Sequence, residues 1–153
     1  MPISFRIFKT KHDGSWADGE GAFRFGGRWN SRGARLLYTA ESLSLAALEM
    51  LVNLNADELL EKYSFATVEF KENYILPVEK FRDLPKNWNV YPAPIGIQQI
   101  GDEWMRSMRS LVLKVPTAVV PNEFNYLINV EHKDFVKIEL GKPQKFGFDE
   151  RLK

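Results

Sequence analysis

No cysteine occurs among the 153 residues, and histidine appears only as His12 and His132. The first absence excludes disulfide scaffolds, thiolate nucleophiles and Cys-ligated zinc. The second leaves no HExxH pair or comparable local spacing, so no protein-built metal site is expected. Each histidine, lacking an acid–base partner nearby in sequence, reads as a loop hydrogen-bonding residue rather than a catalyst. Charge of one sign is lacking too: 21 Lys+Arg face 20 Asp+Glu, a formal net charge of +1. That balance gives no global reason for a DNA, RNA or membrane partner, so any anion site must come from local clustering. No stretch approaches the ~20 apolar residues of a membrane span. The opening Met1-Pro2-Ile3-Ser4-Phe5-Arg6 lacks the basic segment and apolar run of an export signal. A soluble protein of the cytoplasm, with no membrane partner, is the expectation.

What is present suits one folded domain over residues 1–153: 44% apolar and 13% aromatic residues, with no repeat or low-complexity segment. Ile3 to Phe8 alternates as a first strand, and Lys11 to Gly27, rich in Gly and Asp, reads as a long loop. Leu36 to Thr39 reads as a short buried strand. A helix begins near Ser42, which can cap it, with Leu45, Leu48, Met50, Leu51 and Leu54 as its apolar face. A second short helix is expected over Asp57 to Tyr63, and a strand over Phe65 to Phe70. Leu76 to Pro94 holds four of the eight prolines and reads as irregular. Asp102 to Ser110 follows as a helix with Trp104 and Met108 facing inward. Further strands are expected at Leu111 to Val115, Ala118 to Val120, Phe135 to Leu140 and Lys145 to Phe148. The pattern predicts a single α+β domain of short strands, not a repeated βαβ array.

The sharpest local feature is Phe23-Arg24-Phe25-Gly26-Gly27-Arg28-Trp29-Asn30-Ser31-Arg32-Gly33. From Ala22 to Arg35 there are four arginines and no acid. Guanidinium forks beside glycine-exposed amides can cradle a diphosphate. The same composition also suits a solvated turn. Arg28, set between glycines and Trp29, is the strongest candidate of the four. Trp29 either covers a flat ring or seals the loop against the core.

Tyr38 lies in the strand after this loop, and Glu49 lies within the apolar helix beyond it. Tyr38 is either a core residue with a satisfied hydroxyl or a stacking surface for an aromatic leaving group. A carboxylate among apolar helical residues costs stability unless it is paired or faces a pocket. Glu49 therefore has either an ion-pair partner, with Arg6 or a loop arginine as candidates, or a role in stabilising positive charge on a sugar.

The runs Gly26 to Ser31, Leu37 to Ala46 and Leu48-Glu49, followed by Leu113 to Pro121, Glu123 to Asn129, His132 to Phe135 and Phe148 to Leu152, resemble the RES-domain family in order across nearly the whole chain. Arg28 and Glu49 match the family's arginine and glutamate. Its serine position is Thr117, which keeps the hydroxyl and adds a methyl group, and a frequent histidine is Asn53. The resemblance implies a fold like that of ADP-ribosyltransferase toxins. It implies a bacterial toxin partnered by an Xre-like helix-turn-helix antitoxin, with a homodimer also suggested.

The activity so implied is cleavage of the nicotinamide–ribose bond of NAD by water or phosphate, with NAD as substrate and no retained cofactor. Glu49, Arg28 and Tyr38 would be catalytic; Arg6, Arg28, Arg32, Tyr38 and Thr117 would hold the dinucleotide. The alternatives are an ADP-ribosyltransferase modifying a protein, or a non-catalytic nucleotide- or antitoxin-binding module. Direct contact with nucleic acid through Arg24, Phe25, Arg28 and Trp29 fits less well, because the cluster is short and the chain nearly neutral.

Overall fold

A computed structural model describes residues 1–153. Eight strands form one sheet: β1 Ile3–Lys9, β2 Leu36–Ala40, β3 Tyr63–Glu69, β4 Ile75–Pro77, β5 Val112–Pro116, β6 Phe124–Asn129, β7 Glu139–Leu140 and β8 Gln144–Phe146. Their order is β4-β5-β6-β2-β1-β3-β7, with β8 also pairing β3. Every pairing is antiparallel except that of β4 with β5. Three helices complete the fold: α1 Glu20–Phe25, α2 Leu43–Leu51 and α3 Ile95–Ser107. The α+β expectation holds.

Side-chain alternation explains why the central strands carry apolar residues at successive positions. Leu37, Val112 and Ile128 enter one core with Phe8, Trp16, Ala66, Val68 and Phe70. Their neighbours Leu36, Leu113 and Leu127 enter a second core with Trp29, Ile97, Ile100 and Trp104. Successive residues of a strand face opposite sides, so a sheet covered on both faces needs no polar positions in its middle. A third, smaller core seats Leu45 and Ala46 of α2 against Ile7, Ala40 and Tyr63.

The sheet is not uniformly zipped. β1 and β3 stay in register from Ile3↔Glu69 to Lys9↔Tyr63, and β2 and β6 from Leu36↔Asn129 to Ala40↔Asn125. Between β1 and β2 the register is limited to Phe5↔Ala40. The two halves therefore splay apart at the middle, and the gap between β1 and β2 opens the ground for a site.

Several local expectations change. Ser42 caps α2 as expected, its side chain accepting from the Leu45 amide, but Leu48 is 44% exposed and lies off the packed face. The Lys11 to Gly27 loop contains α1, where Glu20 pairs with both Arg24 and Arg35. Acidic help for the arginine cluster thus comes from just outside it. The short helix after Asn55 is a 3-10 turn, Ala56–Leu60, and Tyr63 already starts β3.

Helix α3 starts seven residues earlier than Asp102, its buried face running through Ile97, Ile100, Gly101 and Trp104. Pro94 and two glycines had masked that periodicity. Met108 does not face inward: it ends α3 with φ 55° and is 45% exposed. Ala118 to Val120 is a bend rather than a strand, because Thr117 and Glu123 are already joined by a backbone hydrogen bond across the β5–β6 connection. Phe135 to Leu140 begins in a 3-10 turn, Lys133–Lys137, capped by His132, with strand only at its end.

Candidate active site

The arginine loop is built by close approach. Gly26 has φ 72°, a left-handed conformation that disfavours any side chain. At Gly27 an added Cβ would stand 2.6 Å from the Tyr38 hydroxyl, so glycine lets the strand's tyrosine reach under the loop. That hydroxyl donates to Asn30 Oδ1 at 2.6 Å and accepts from the Trp29 amide at 3.0 Å. Burial pushes the Tyr38 phenol above its ordinary range, with the Trp29 amide pulling the other way.

Helix α3 grips the loop from beyond. Gln98 donates to the carbonyls of Gly27 and Asn30, and Asp102 accepts from the amide and hydroxyl of Ser31. Trp29 is 2% exposed and belongs to the α3-side core, so it seals the loop rather than covering a ligand. Gly101 makes that seal possible: a Cβ there would lie 1.7 Å from the Trp29 carbonyl oxygen.

Arg28 is thereby aimed across an opening. Its two terminal nitrogens donate to the carbonyls of Trp88 and Val90, each at 3.0 Å. A guanidinium carries five N–H donors, so these two bonds leave capacity for an anion. Arg6 reaches the same region from β1, across the splayed part of the sheet, and donates to the Tyr38 carbonyl at 3.0 Å. Its Nε is buried without a partner. Burial lowers the Arg6 pKa, opposed by the more distant charge of Asp18. Arginine stays cationic even so, and the cost of burying that charge is what an anionic ligand would offset.

Glu49, half-buried on α2, lines the same cavity as the arginines. It has no ion-pair partner: Thr117 Oγ1 donates to Oε2 at 2.8 Å and Asn125 Nδ2 donates to Oε1 at 2.8 Å. Burial raises its pKa, the two hydrogen bonds oppose the rise, and Glu123 adds to it. Thr117 is itself fixed, its hydroxyl oxygen accepting from the Val119 amide at 3.1 Å. Both oxygens of the carboxylate are oriented by neutral donors, so the charge is aimed rather than neutralised.

Arg6, Arg28, Tyr38, Glu49, Thr117 and Asn125 all line one open cavity of about 1370 Å³. That exceeds the usual ~300–1,000 Å³ of small-molecule sites and suits an extended ligand. Arg32 is exposed and lies outside the cavity. Asn125 was missed as a site residue. Its signal was a polar side chain within a central strand, visible only once β6 is recognised as central. His12 lines the cavity, whereas His132 is engaged with the Met108 carbonyl and the Asp134 amide. No group of three or more His, Cys, Asp or Glu side chains gathers as a metal cluster, and no helix is long and apolar enough to cross a membrane.

Comparison with known proteins gives the class to which this fold belongs. The RES domain family model matches residues 3–149, and the chain belongs to that family. Relatives include two proteins named Toxin Res. The one from Yersinia enterocolitica is 39% identical, the match covering 97% of this chain and 98% of its own. The one from Photorhabdus laumondii is 38% identical, over 98% of this chain and 96% of its own. A protein of a Sphingobium species named Prs ADP-ribosylating toxin is 35% identical, over 88% of this chain and 84% of its own. The fold is shared with a chain of the Mycobacterium tuberculosis MbcT–MbcA toxin–antitoxin complex. There the TM-score is 0.68 at 18% identity, covering 95% of this chain and 84% of that one.

Proposed function

We propose that this protein is the toxin of a toxin–antitoxin pair and cleaves the nicotinamide–ribose bond of NAD. The observation that carries the reading is Glu49: a half-buried carboxylate with no cationic partner, aimed by Thr117 and Asn125 into the cavity that Arg6 and Arg28 also line. In this reading the two arginines hold the diphosphate and Tyr38 supports both the loop and the nicotinamide end. Arg32, outside the cavity, takes no part.

The nicotinamide of NAD is already cationic and leaves as a neutral base, so a strong general acid is unnecessary, unlike ordinary glycoside cleavage. The C–N bond breaks with its electron pair going to the ring nitrogen, and positive charge collects on the ribose. The ionised Glu49 stabilises that charge, which is preorganised electrostatic catalysis. Water, losing a proton to solvent, or an already deprotonated oxygen of inorganic phosphate then forms the new bond at the anomeric carbon.

Incubation of the purified protein with NAD, with and without phosphate, followed by product identification, tests this. Free nicotinamide with ADP-ribose or its 1-phosphate is expected, and stoichiometric recovery of intact NAD would end the proposal. A second reading, transfer of ADP-ribose to a protein, is favoured by the name of the Sphingobium relative. Label from the ADP-ribose half appearing on a macromolecule would select it. The partner consistent with either reading is an Xre-like antitoxin in the cytoplasm, and a homodimer remains part of the proposal.

A further inference from the structure

We propose that Phe25 and Tyr91 form an aromatic clamp for a purine base at the mouth of the cavity. Within the NAD reading, on which this rests, that base is adenine. Phe25 closes α1 and is 75% exposed; Tyr91 lies near the end of the proline-rich excursion and is 87% exposed. Both line the cavity that holds the arginines and Glu49. A single exposed aromatic is unremarkable. Two on different segments of one cavity rim, beside guanidinium groups, match what a nucleotide presents: a flat base attached to phosphates.

Arg28 links the two segments that carry the rings. It lies three residues beyond Phe25, and its guanidinium binds the carbonyls of Trp88 and of Val90, the residue immediately before Tyr91. The same side chain therefore ties together the segments that carry the rings. Gly26, with φ 72°, turns the chain straight after Phe25 and leaves that ring on the rim while Trp29 goes into the α3-side core. The cavity of about 1370 Å³ has room for a second flat group beyond the one engaged near Glu49. Arg28, between the two aromatic segments, marks where the phosphates would run. Stacking on aromatic faces is a general means of holding a base, and each stacked base contributes measurably to affinity.

The test is calorimetric titration of ADP and of inorganic pyrophosphate into the full chain, using wild type, Phe25→Ala, Tyr91→Ala and Tyr91→Phe. The Kd for ADP is expected to rise about tenfold in each alanine variant and to stay near wild type in Tyr91→Phe, which keeps the ring. Pyrophosphate should bind all four alike, because the arginines are untouched, and KM for NAD should rise in proportion to the ADP Kd. ADP affinity insensitive to both rings overturns the clamp. So does equal weakening of ADP and pyrophosphate, or a wild type that binds ADP no more tightly than pyrophosphate. The two claims separate cleanly. If ADP behaves as expected while NAD yields no nicotinamide, the clamp stands and NAD cleavage falls. If nicotinamide is released while ADP ignores both rings, cleavage stands and the clamp falls.

Discussion

Glu49 and Arg28 line the same cavity but are held in opposite ways. The glutamate sits on a packed helix and receives hydrogen bonds from two neutral side chains, which oppose the rise that burial gives its pKa. The arginine sits on a loop and bonds two backbone carbonyls of a distant segment, so it shapes the cavity as well as charging it. Arg6 is the strand-borne counterpart, anchored through one bond and otherwise without an acceptor. A side chain that only carries charge and one that also carries architecture should fail differently when removed.

The largest effect belongs to Glu49→Gln. Removing the charge that steadies the sugar should lower nicotinamide release by on the order of a hundredfold, with NAD affinity little changed. A linked stability effect has the opposite sign. Because folding raises this pKa, the native state favours the protonated carboxyl. The stabilisation is complete below the ordinary glutamate value of about 4.3 and is lost as pH rises through the raised one. Glu49→Gln should therefore unfold at higher urea than wild type at pH 7, the difference vanishing near pH 4. A mutant that is slower and also less stable at pH 7 would mark Glu49 as a structural residue.

Next come the two arginines. Arg6→Ala should raise KM for NAD about tenfold through loss of a charge-assisted contact, with no change in chymotryptic cleavage around Trp88 to Tyr91. Arg28→Ala should raise KM at least as much, about tenfold or more, and also speed that cleavage, because the latch on the Trp88 and Val90 carbonyls is gone. Arg28→Lys keeps the charge but loses the planar fork that spans two acceptors, and it should not restore protection. Equal cleavage in Arg28→Ala and wild type would dissolve the distinction between the two residues.

The legibility of this molecule follows the same division. Features encoded by neighbours in sequence could be read directly: β1, β2 and the Ser42-capped α2 follow from alternation, apolar runs and one serine. The isolation of Glu49 within an apolar helix was also visible. Contacts between distant segments could not be read. Nothing around Arg28 announces the carbonyls of Trp88 and Val90, 60 and 62 residues away. Glu49 read either as half of an ion pair or as a pocket-facing carboxylate, because a carboxylate in an apolar setting needs one or the other. That its partners are Thr117 and Asn125 depends on the end of β5 and the start of β6 reaching Glu49, a matter of topology. Trp29 read equally well as cover or as seal until Gly101 of α3 was seen against its carbonyl.

A smaller effect separates the two donors to Glu49 from the carboxylate itself. Activity requires the ionised form, so it should fall as pH drops through a pKa standing above the ordinary glutamate value. The hydrogen bonds from Thr117 and Asn125 hold that value down. Thr117→Val or Asn125→Ala should thus move the acid limb of kcat toward higher pH, a loss on the order of threefold at pH 6 that shrinks toward pH 8. Thr117→Ser keeps the hydroxyl and should leave the limb in place. An unshifted limb in both donor variants would mean that these bonds orient the carboxylate without tuning it.

The smallest effect is expected of Arg32, which tests whether the arginine cluster acts as a field or as individual contacts. Arg32 shares the loop with Arg28 but is exposed, forms no ion pair and lies outside the cavity. At physiological ionic strength charges are screened over roughly 8 Å, so an exposed guanidinium that touches nothing contributes little at a distance. Arg32→Ala should change KM for NAD by less than about twofold and stability by no more than ~0.5 kcal/mol. Lowering the salt should widen the KM difference modestly, as unscreened attraction to a dianionic diphosphate returns. A loss at 0.15 M salt matching that of Arg6→Ala would mean that anion capture draws on the summed charge of the loop, and the contrast between architectural and charge-carrying arginines would then describe geometry without describing binding.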